Sequence, residues 1–319
     1  MNTPLVTRIL FATDLSECAA RAQVYATYLA TAWEAKVDIL HVIEGPQWLT
    51  TNVAAFPLAE EVRKEVATRL DEVQGHMARS GITVSMRQIM GIPNEQIDLV
   101  ARENGVDLVV LGTQGRENLL YGLIGSTAER VIKGGPCPVL AVPDDQEGAH
   151  PLATEVQLQV PIQHILAPVD FSSPSLDALE YAIQWANRLG SKITLMHVLE
   201  PICFDLDYSL GSIEHEVRTR DHWKSQLTEL TDVVKSFGLP ADFQVSGGVP
   251  SDAILAGALR SRADFIIMGT HGRRGLSQKR FGSVAEAVLR RATCPVLTVK
   301  TPKFAPGPRR VVPQVMAES

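Results

Sequence analysis

The stretch Gly269-Thr270-His271-Gly272-Arg273-Arg274-Gly275-Leu276-Ser277-Gln278-Lys279-Arg280-Phe281-Gly282-Ser283 follows the apolar run Phe265-Ile266-Ile267-Met268 and precedes Val284-Ala285-Glu286-Ala287-Val288-Leu289. It reads as strand, glycine-rich loop and helix. Glycines placed where a chain leaves a buried strand and enters a helix let backbone N–H groups approach a ligand, and the helix N-terminus adds partial positive charge. Such a loop suits phosphate. The same construction stands earlier as Gly112-Thr113-Gln114-Gly115, nine residues, then Gly125-Ser126, after the run Leu108-Val109-Val110-Leu111.

The repetition extends outward from these loops. Asp14 ends Ile9-Leu10-Phe11-Ala12-Thr13-Asp14, and Asp170 ends Ile165-Leu166-Ala167-Pro168-Val169-Asp170, an offset of 156 (170 − 14) that His41-Val42 and His197-Val198 share. Gly91-Ile92-Pro93 and Gly248-Val249-Pro250, like Gly112 and Gly269, stand at 157 (269 − 112), so one residue is added between the second and third strands. A repeat of this length decides the architecture. The chain reads as two homologous halves.

Within the first half, a strand at 9–13 leads to an alanine-rich helix at 16–33, and a second strand at 37–43 ends at Gly45-Pro46. Leu58, Val62, Val66, Leu70, Val73 and Met77 recur at helical spacing through a charged segment, an amphipathic helix stopped at Ser80-Gly81. Strand 82–89, a helix opened by Pro93 and running to 104, strand 107–111, helix 125–134 and strand 138–142 complete the unit. The second half repeats the series: strand 163–169, helix 174–189, strand 192–199, a long helix within 211–237, strand 243–247, helix 250–262, strand 264–268, loop, helix, and strand 295–299. Alternating strands and helices predict two doubly wound α/β domains, each a five-stranded parallel sheet with helices on both faces. The expected domains are 1–145 and 160–301. The polar, turn-rich segment Pro143 to Pro151 reads as a linker, and the proline-rich tail 302–319 lacks regular structure in this reading.

Composition is that of an ordinary globular protein: 319 residues, 45% hydrophobic, 21% charged, formal charge −6. At roughly 100–200 residues per domain the length fits two domains. The negative charge argues against nucleic acid as a partner, and no run approaches a membrane span. Met1 to Val6 lacks a charged start followed by an apolar core, so a cytoplasmic location is expected. Cys18, Cys137, Cys203 and Cys294 show no Cys-x2-Cys spacing, and reduced, structural thiols are expected.

Gly-x2-Gly-x9-Gly-Ser, then a short helix and Cys-Pro-Val-Leu, occurs twice, at 112–140 and 269–297. On these motifs the chain resembles the universal stress protein family, in its ATP-binding branch. The resemblance implies the Rossmann-like, adenine nucleotide alpha hydrolase-like fold, with the first and fourth strands side by side. It implies ATP as ligand, with Mg²⁺ arriving on the phosphates, and dimers made through last strands. Residue by residue it assigns Asp14 and Asp170 to adenine, and the backbone of Val42 and Val198 to the base. Gly112, Gly115, Gly125 and Ser126, with Gly269, Gly272, Gly282 and Ser283, go to ribose and phosphates.

A carboxylate can accept the amino donor of adenine, and a serine at a helix start offers both hydroxyl and N–H. The structural alternative is that Asp14 and Asp170 cap the first helix and Ser126 and Ser283 the fourth. The Gly-x4-Gly-Lys-[Ser/Thr] phosphate loop is absent and no general base stands out, although His271 lies in the second loop. Two readings follow: a nucleotide-dependent regulatory or stress-response module, and a slow ATPase or other enzyme acting on an adenine nucleotide. The first is preferred. His41 and His197 lack a second ligand at metal spacing and read as packing. The downstream protein partner is not legible in the sequence.

The halves differ inside the shared motif. His271, Arg273, Arg274, Lys279 and Arg280 make the second loop basic, whereas Gln114, Arg116, Glu117, Asn118, Leu119, Leu120, Tyr121 and Leu123 leave the first nearly neutral. The second half is therefore expected to be the tighter, more salt-sensitive triphosphate site. The last strands, Pro138 to Val142 and Pro295 to Val299, are apolar edges expected to pair, within the chain or in a homodimer.

Overall fold

A computed structural model describes residues 5–44, 56–114, 124–144, 162–199, 210–271 and 281–300, with 56–62 and 210–219 in backbone only. The chain divides into two compact units, Met1–Val160 and Pro161–Ser319. The linker beyond residue 144, the tail, Cys203, Gly115, Gly272 and the middle of both loops lie outside the described residues.

In the first unit β1 (Arg8–Ala12), α1 (Glu17–Trp33), β2 (Lys36–Ile43), α2 (Phe56–Ala78), β3 (Val84–Met90), α3 (Pro93–Glu103), β4 (Leu108–Gly112), α4 (Ser126–Gly134) and β5 (Val139–Val142) follow in order. The strands pair in parallel in the order β3-β2-β1-β4-β5. The second unit repeats this with β6 (His164–Pro168), α5 (Ser173–Leu189), β7 (Lys192–Leu199), α6 (Leu210–Ser236), β8 (Ala241–Gly247), α7 (Pro250–Ser261), β9 (Phe265–Gly269), α8 (Ser283–Arg291) and β10 (Val296–Val299). Its order is β8-β7-β6-β9-β10, again parallel. The doubly wound α/β fold expected from the alternation is therefore present in both units, with boundaries displaced by a residue or two.

The central strands are apolar along their length because helices cover both faces. Ile9, Leu10 and Phe11 of β1, Leu108 to Val110 of β4 and Phe265 to Ile267 of β9 are almost wholly buried. Each such side chain contributes on the order of 1.5–3 kcal/mol of hydrophobic stabilisation. Of the stripe predicted on α2, Leu70 and Met77 are fully buried and Val66 and Val73 half-buried. Helix starts are set locally. Ser16 and Ser172 cap α1 and α5, each accepting from the N–H three residues on, and Pro93 and Pro250 open α3 and α7.

The N-terminal ends of the strands carry a different polar network in each unit. In the first, Arg8 Nε lies 3.4 Å from Asp38 Oδ2, which also accepts from Asn104, while Ser85 donates to Asp38 Oδ1. In the second, the equivalent places hold His164 Nε2, 2.7 Å from Thr194 Oγ1, which in turn donates to Asp242. Burial holds the His164 imidazole below the usual histidine range, helped by the Lys192 charge. Cys18 and Cys137 are buried; Cys294 is half-buried. Burial pushes the Cys18 thiol up and that of Cys294 up to about 12, so neither is ionised at neutral pH. Among the described residues no helix is long and apolar enough to cross a membrane.

Candidate nucleotide site

The strand order places β1 between β2 and β4, and β6 between β7 and β9. The winding direction reverses there, so a crevice opens beyond the carboxyl ends of these strands. Ala12 pairs with Leu40 and Phe11 with Val110, so continuing the register sets Asp14 level with Val42 on one side and Thr113 on the other. Pro168 pairs with Met196 and Leu166 with Ile266, which sets Asp170 level with Val198 and Thr270. The acidic residue, the second-strand valine and the start of the glycine loop thus converge in each unit.

Asp14 and Asp170 do not cap α1 and α5. Each begins a tight turn in which its Oδ1 accepts from the backbone N–H two residues on, Ser16 at 3.0 Å and Ser172 at 3.1 Å. Those serines then make the caps. The residue between, Leu15 or Phe171, takes a left-handed conformation with φ of 62° in both units. For a side chain with a Cβ this costs on the order of 1–3 kcal/mol, and such strain collects at functional turns. In the second unit the turn is further tied: Ser172 Oγ donates to the same Asp170 oxygen at 2.5 Å, and the Asp170 N–H donates to Ser175 Oγ at 3.3 Å. The pattern Asp-x-Ser in both halves was the signal in the sequence.

His41 and His197 are buried, at 7% and 6% exposure. Each Nδ1–H donates to the carbonyl just before the acidic residue, Thr13 at 2.8 Å and Val169 at 2.7 Å. A carbonyl only accepts, so Nδ1 carries the proton, and the imidazole fixes the strand end that carries the carboxylate. Among the described residues no group of three or more His, Cys, Asp or Glu side chains is placed to hold a metal ion.

The loop glycines serve different ends. A Cβ on Gly269 would lie 2.8 Å from the Pro174 carbonyl oxygen, and one on Gly112 would lie 2.8 Å from Cys18 Sγ and 3.1 Å from the Cys18 carbonyl carbon. The first glycine of each motif is thus required by the close approach of α1 or α5 to the strand end. The third glycine closes the loop: Gly125 N–H donates to the Thr113 carbonyl at 2.6 Å and Gly282 N–H to the Thr270 carbonyl at 2.8 Å. Loop ends are therefore pinned together beside the crevice. Gly125 and Gly282, not the serines, occupy the cap positions of α4 and α8, and neither supplies a side-chain hydrogen bond. Ser126 and Ser283 are the first helical residues and both are exposed. An exposed helix start without a side-chain cap keeps its first-turn N–H groups aimed at an anion. His271 is half-buried and hydrogen-bonded to Thr270 Oγ1 at 2.9 Å.

Three residues near the turns carried no signal that sequence reasoning used. Arg69 of α2 donates to the Leu15 carbonyl at 3.0 Å. In the second unit Trp223 of α6 packs on His197 and Phe171, with ring centroids 4.6 and 4.9 Å away, and Phe171 meets His197 edge-on at 5.3 Å.

Comparison with known proteins agrees with this fold. The model of the universal stress protein family matches residues 6–143 and again 161–300. A universal stress protein of Methanocaldococcus jannaschii is 33% identical over 140 residues, 44% of this chain and 82% of that protein. The crystal structure of a universal stress protein from Archaeoglobus fulgidus superposes with a TM-score of 0.68 at 23% identity, covering 92% of this chain and 96% of that one, a likeness of fold. A universal stress protein solved in complex with cAMP is 26% identical over 43% of this chain and 97% of its own, with a TM-score of 0.36. The chain belongs to the universal stress protein family, as two tandem copies of its domain.

Proposed function

We propose that this protein binds adenine nucleotides, ATP in particular, and works as a nucleotide-dependent regulatory or stress-response module. The observation that carries the reading is the same constellation built twice: an acidic turn held by a buried histidine, level with a β-strand valine, facing a closed glycine loop and a helix start without a side-chain cap. The parts match the ligand. Asp14 and Asp170 are the acceptors for the adenine amino group, and the backbone of Val42 and Val198 meets the base. The starts of α4 and α8, through Gly125-Ser126 and Gly282-Ser283, receive phosphate. Gly112 and Gly269 bring the acidic turn close to the loop by letting the first helix approach. Mg²⁺ would come with the phosphates, since it keeps much of its water shell and needs few protein ligands. Gly115 and Gly272 complete the loop assignment in this reading.

The second unit is the tighter site. Its loop carries Arg273, Arg274, Lys279 and Arg280 against Arg116 and Glu117 in the first. Charge-assisted contacts to phosphate contribute about 1.5–3 kcal/mol each. Denaturing the purified protein and identifying the released nucleotide tests the assignment. Recovered adenine nucleotide supports it; a protein that releases no nucleotide and does not bind added ATP would overturn it. Following added ATP over hours separates the module from the slow hydrolase: sustained turnover lost on His271→Ala would favour the enzyme.

A further inference from the structure

The left-handed residue after each acidic group is held from the same direction by unlike means. In the first unit α2 reaches the turn by a hydrogen bond from the exposed Arg69 to the Leu15 carbonyl at 3.0 Å, beside the bond that the Leu15 N–H gives to Thr13 Oγ1 at 3.0 Å. In the second, the position equivalent to Val66 is Trp223 of α6, by the 157-residue offset (223 − 66). Its ring lies 4.9 Å from Phe171 and 4.6 Å from His197, so the strained residue and the histidine that anchors Asp170 share one aromatic contact set. Phe171 is 2% exposed. We propose that the helix after the second strand positions the base-binding turn in each unit, through Arg69 in the first and Trp223 in the second.

The physical argument concerns what a bond and a ring set each restrict. A hydrogen bond from a long exposed side chain competes with water and constrains one carbonyl. Tilted and edge-on rings in contact bury area on both the turn and its anchor, and an aromatic pair favours a narrow range of geometries. Trp223 acts on both ends of the lever at once. Phe171 is kept in its left-handed conformation, and His197 is kept against the Val169 carbonyl at 2.7 Å. The extra Ser172 and Ser175 bonds around Asp170 add to that stiffness. A turn already held in its binding geometry loses less freedom when a base arrives, and so binds more tightly for the same contacts. This deepens the nucleotide reading above and rests on it for the ligand alone.

Amide hydrogen exchange on the full chain tests the mechanical part without any ligand. Trp223→Leu is expected to speed exchange at residues 170–173 about tenfold, the equilibrium equivalent of losing an aromatic pair, while the amides of β6 and β9 keep their wild-type rates. Trp223→Phe should restore most of the protection. Arg69→Met should loosen residues 14–17 and leave 170–173 untouched. Unchanged exchange at 170–173 in Trp223→Leu overturns the inference, as does a uniform rise across the second unit, which marks Trp223 as general packing. ATP titration of the same variants tests the consequence: Trp223→Leu should weaken the tighter site about tenfold, with Trp223→Phe near wild type. If the unaltered protein takes up no ATP, the nucleotide assignment falls, and the exchange rates still decide whether Trp223 positions the turn.

Discussion

Replacing Gly269 by alanine adds one methyl group where the backbone leaves no room for it. The new Cβ would lie 2.8 Å from the Pro174 carbonyl oxygen, 2.9 Å from its carbonyl carbon and 3.3 Å from its Cβ. The two nearest are backbone atoms in the first turn of α5, fixed in place by the Ser172 cap. No rotamer change relieves such a contact, so the helix start has to move. Overpacking of this kind costs about 1–3 kcal/mol. For a unit of this size each kcal/mol lowers Tm by about 2–4 °C, so a fall of roughly 2–12 °C is expected. Scanning calorimetry of the full chain measures it. Gly75→Ala supplies the opposite sign, because Gly75 lies inside α2 with nothing within 4 Å of an added Cβ. There alanine should raise stability by up to about 1 kcal/mol. Gly112→Ala is intermediate, since its nearest neighbour is the Cys18 thiol, and adding Cys18→Ala should recover part of the loss. A Gly269→Ala protein that melts with the wild type would refute the close-approach explanation of this glycine.

Two further outcomes follow from the same geometry. Gly282→Val should abolish nucleotide binding in the second unit and leave it folded, because its Cβ would lie 3.0 Å from the Thr270 carbonyl oxygen that closes the loop. Titration of the folded variant with ATP checks this, and unchanged affinity would remove the loop from the site. The His164 imidazole has its folded pKa lowered from 6.5, so the stability it contributes is present above about that pH and lost as pH falls through the folded value. Denaturant melts between pH 7.5 and 5 should show the second unit weakening, and His164→Gln should flatten that slope. Asp264, raised from 3.8 by burial, acts in the opposite sense at lower pH.

The architecture was legible because it is written in periodicity and repetition. Buried runs such as Leu108-Val109-Val110 mark central strands, the stripe through Leu70 and Met77 marks a helix, and the 156- and 157-residue offsets double every inference. The turn at the site was half legible. Asp14 and Asp170 stood out, but the structural alternative gave them the cap of the first helix, whereas the carboxylate holds the turn and Ser16 or Ser172 makes the cap. Likewise Gly125 and Gly282, rather than the serines after them, occupy the caps of α4 and α8. His41 and His197 were read as packing, and their hydrogen bonds to Thr13 and Val169 add a role that depends on a neighbouring strand. The reason for Gly112 and Gly269 lies in helices roughly a hundred residues away, at Cys18 and Pro174, and no local pattern records a distance of that kind. Arg69 and Trp223 were invisible for a related cause. Both sit on the exposed or half-exposed flank of a helix, where an arginine or tryptophan usually reports only the solvent boundary.

The central claim is that each unit holds an adenine nucleotide through its acidic turn, the second more tightly than the first. Isothermal titration with ATP of the wild type, Asp14→Ala and Asp170→Ala, each at low and at physiological salt, tests it most directly. The account predicts two sites in the wild type and one in each variant. The site left in Asp14→Ala should be the tighter of the two and should lose more affinity on adding salt, because charge-assisted contacts to phosphate are screened. Binding left intact by both substitutions, or equal residual affinities at both salt concentrations, would contradict it.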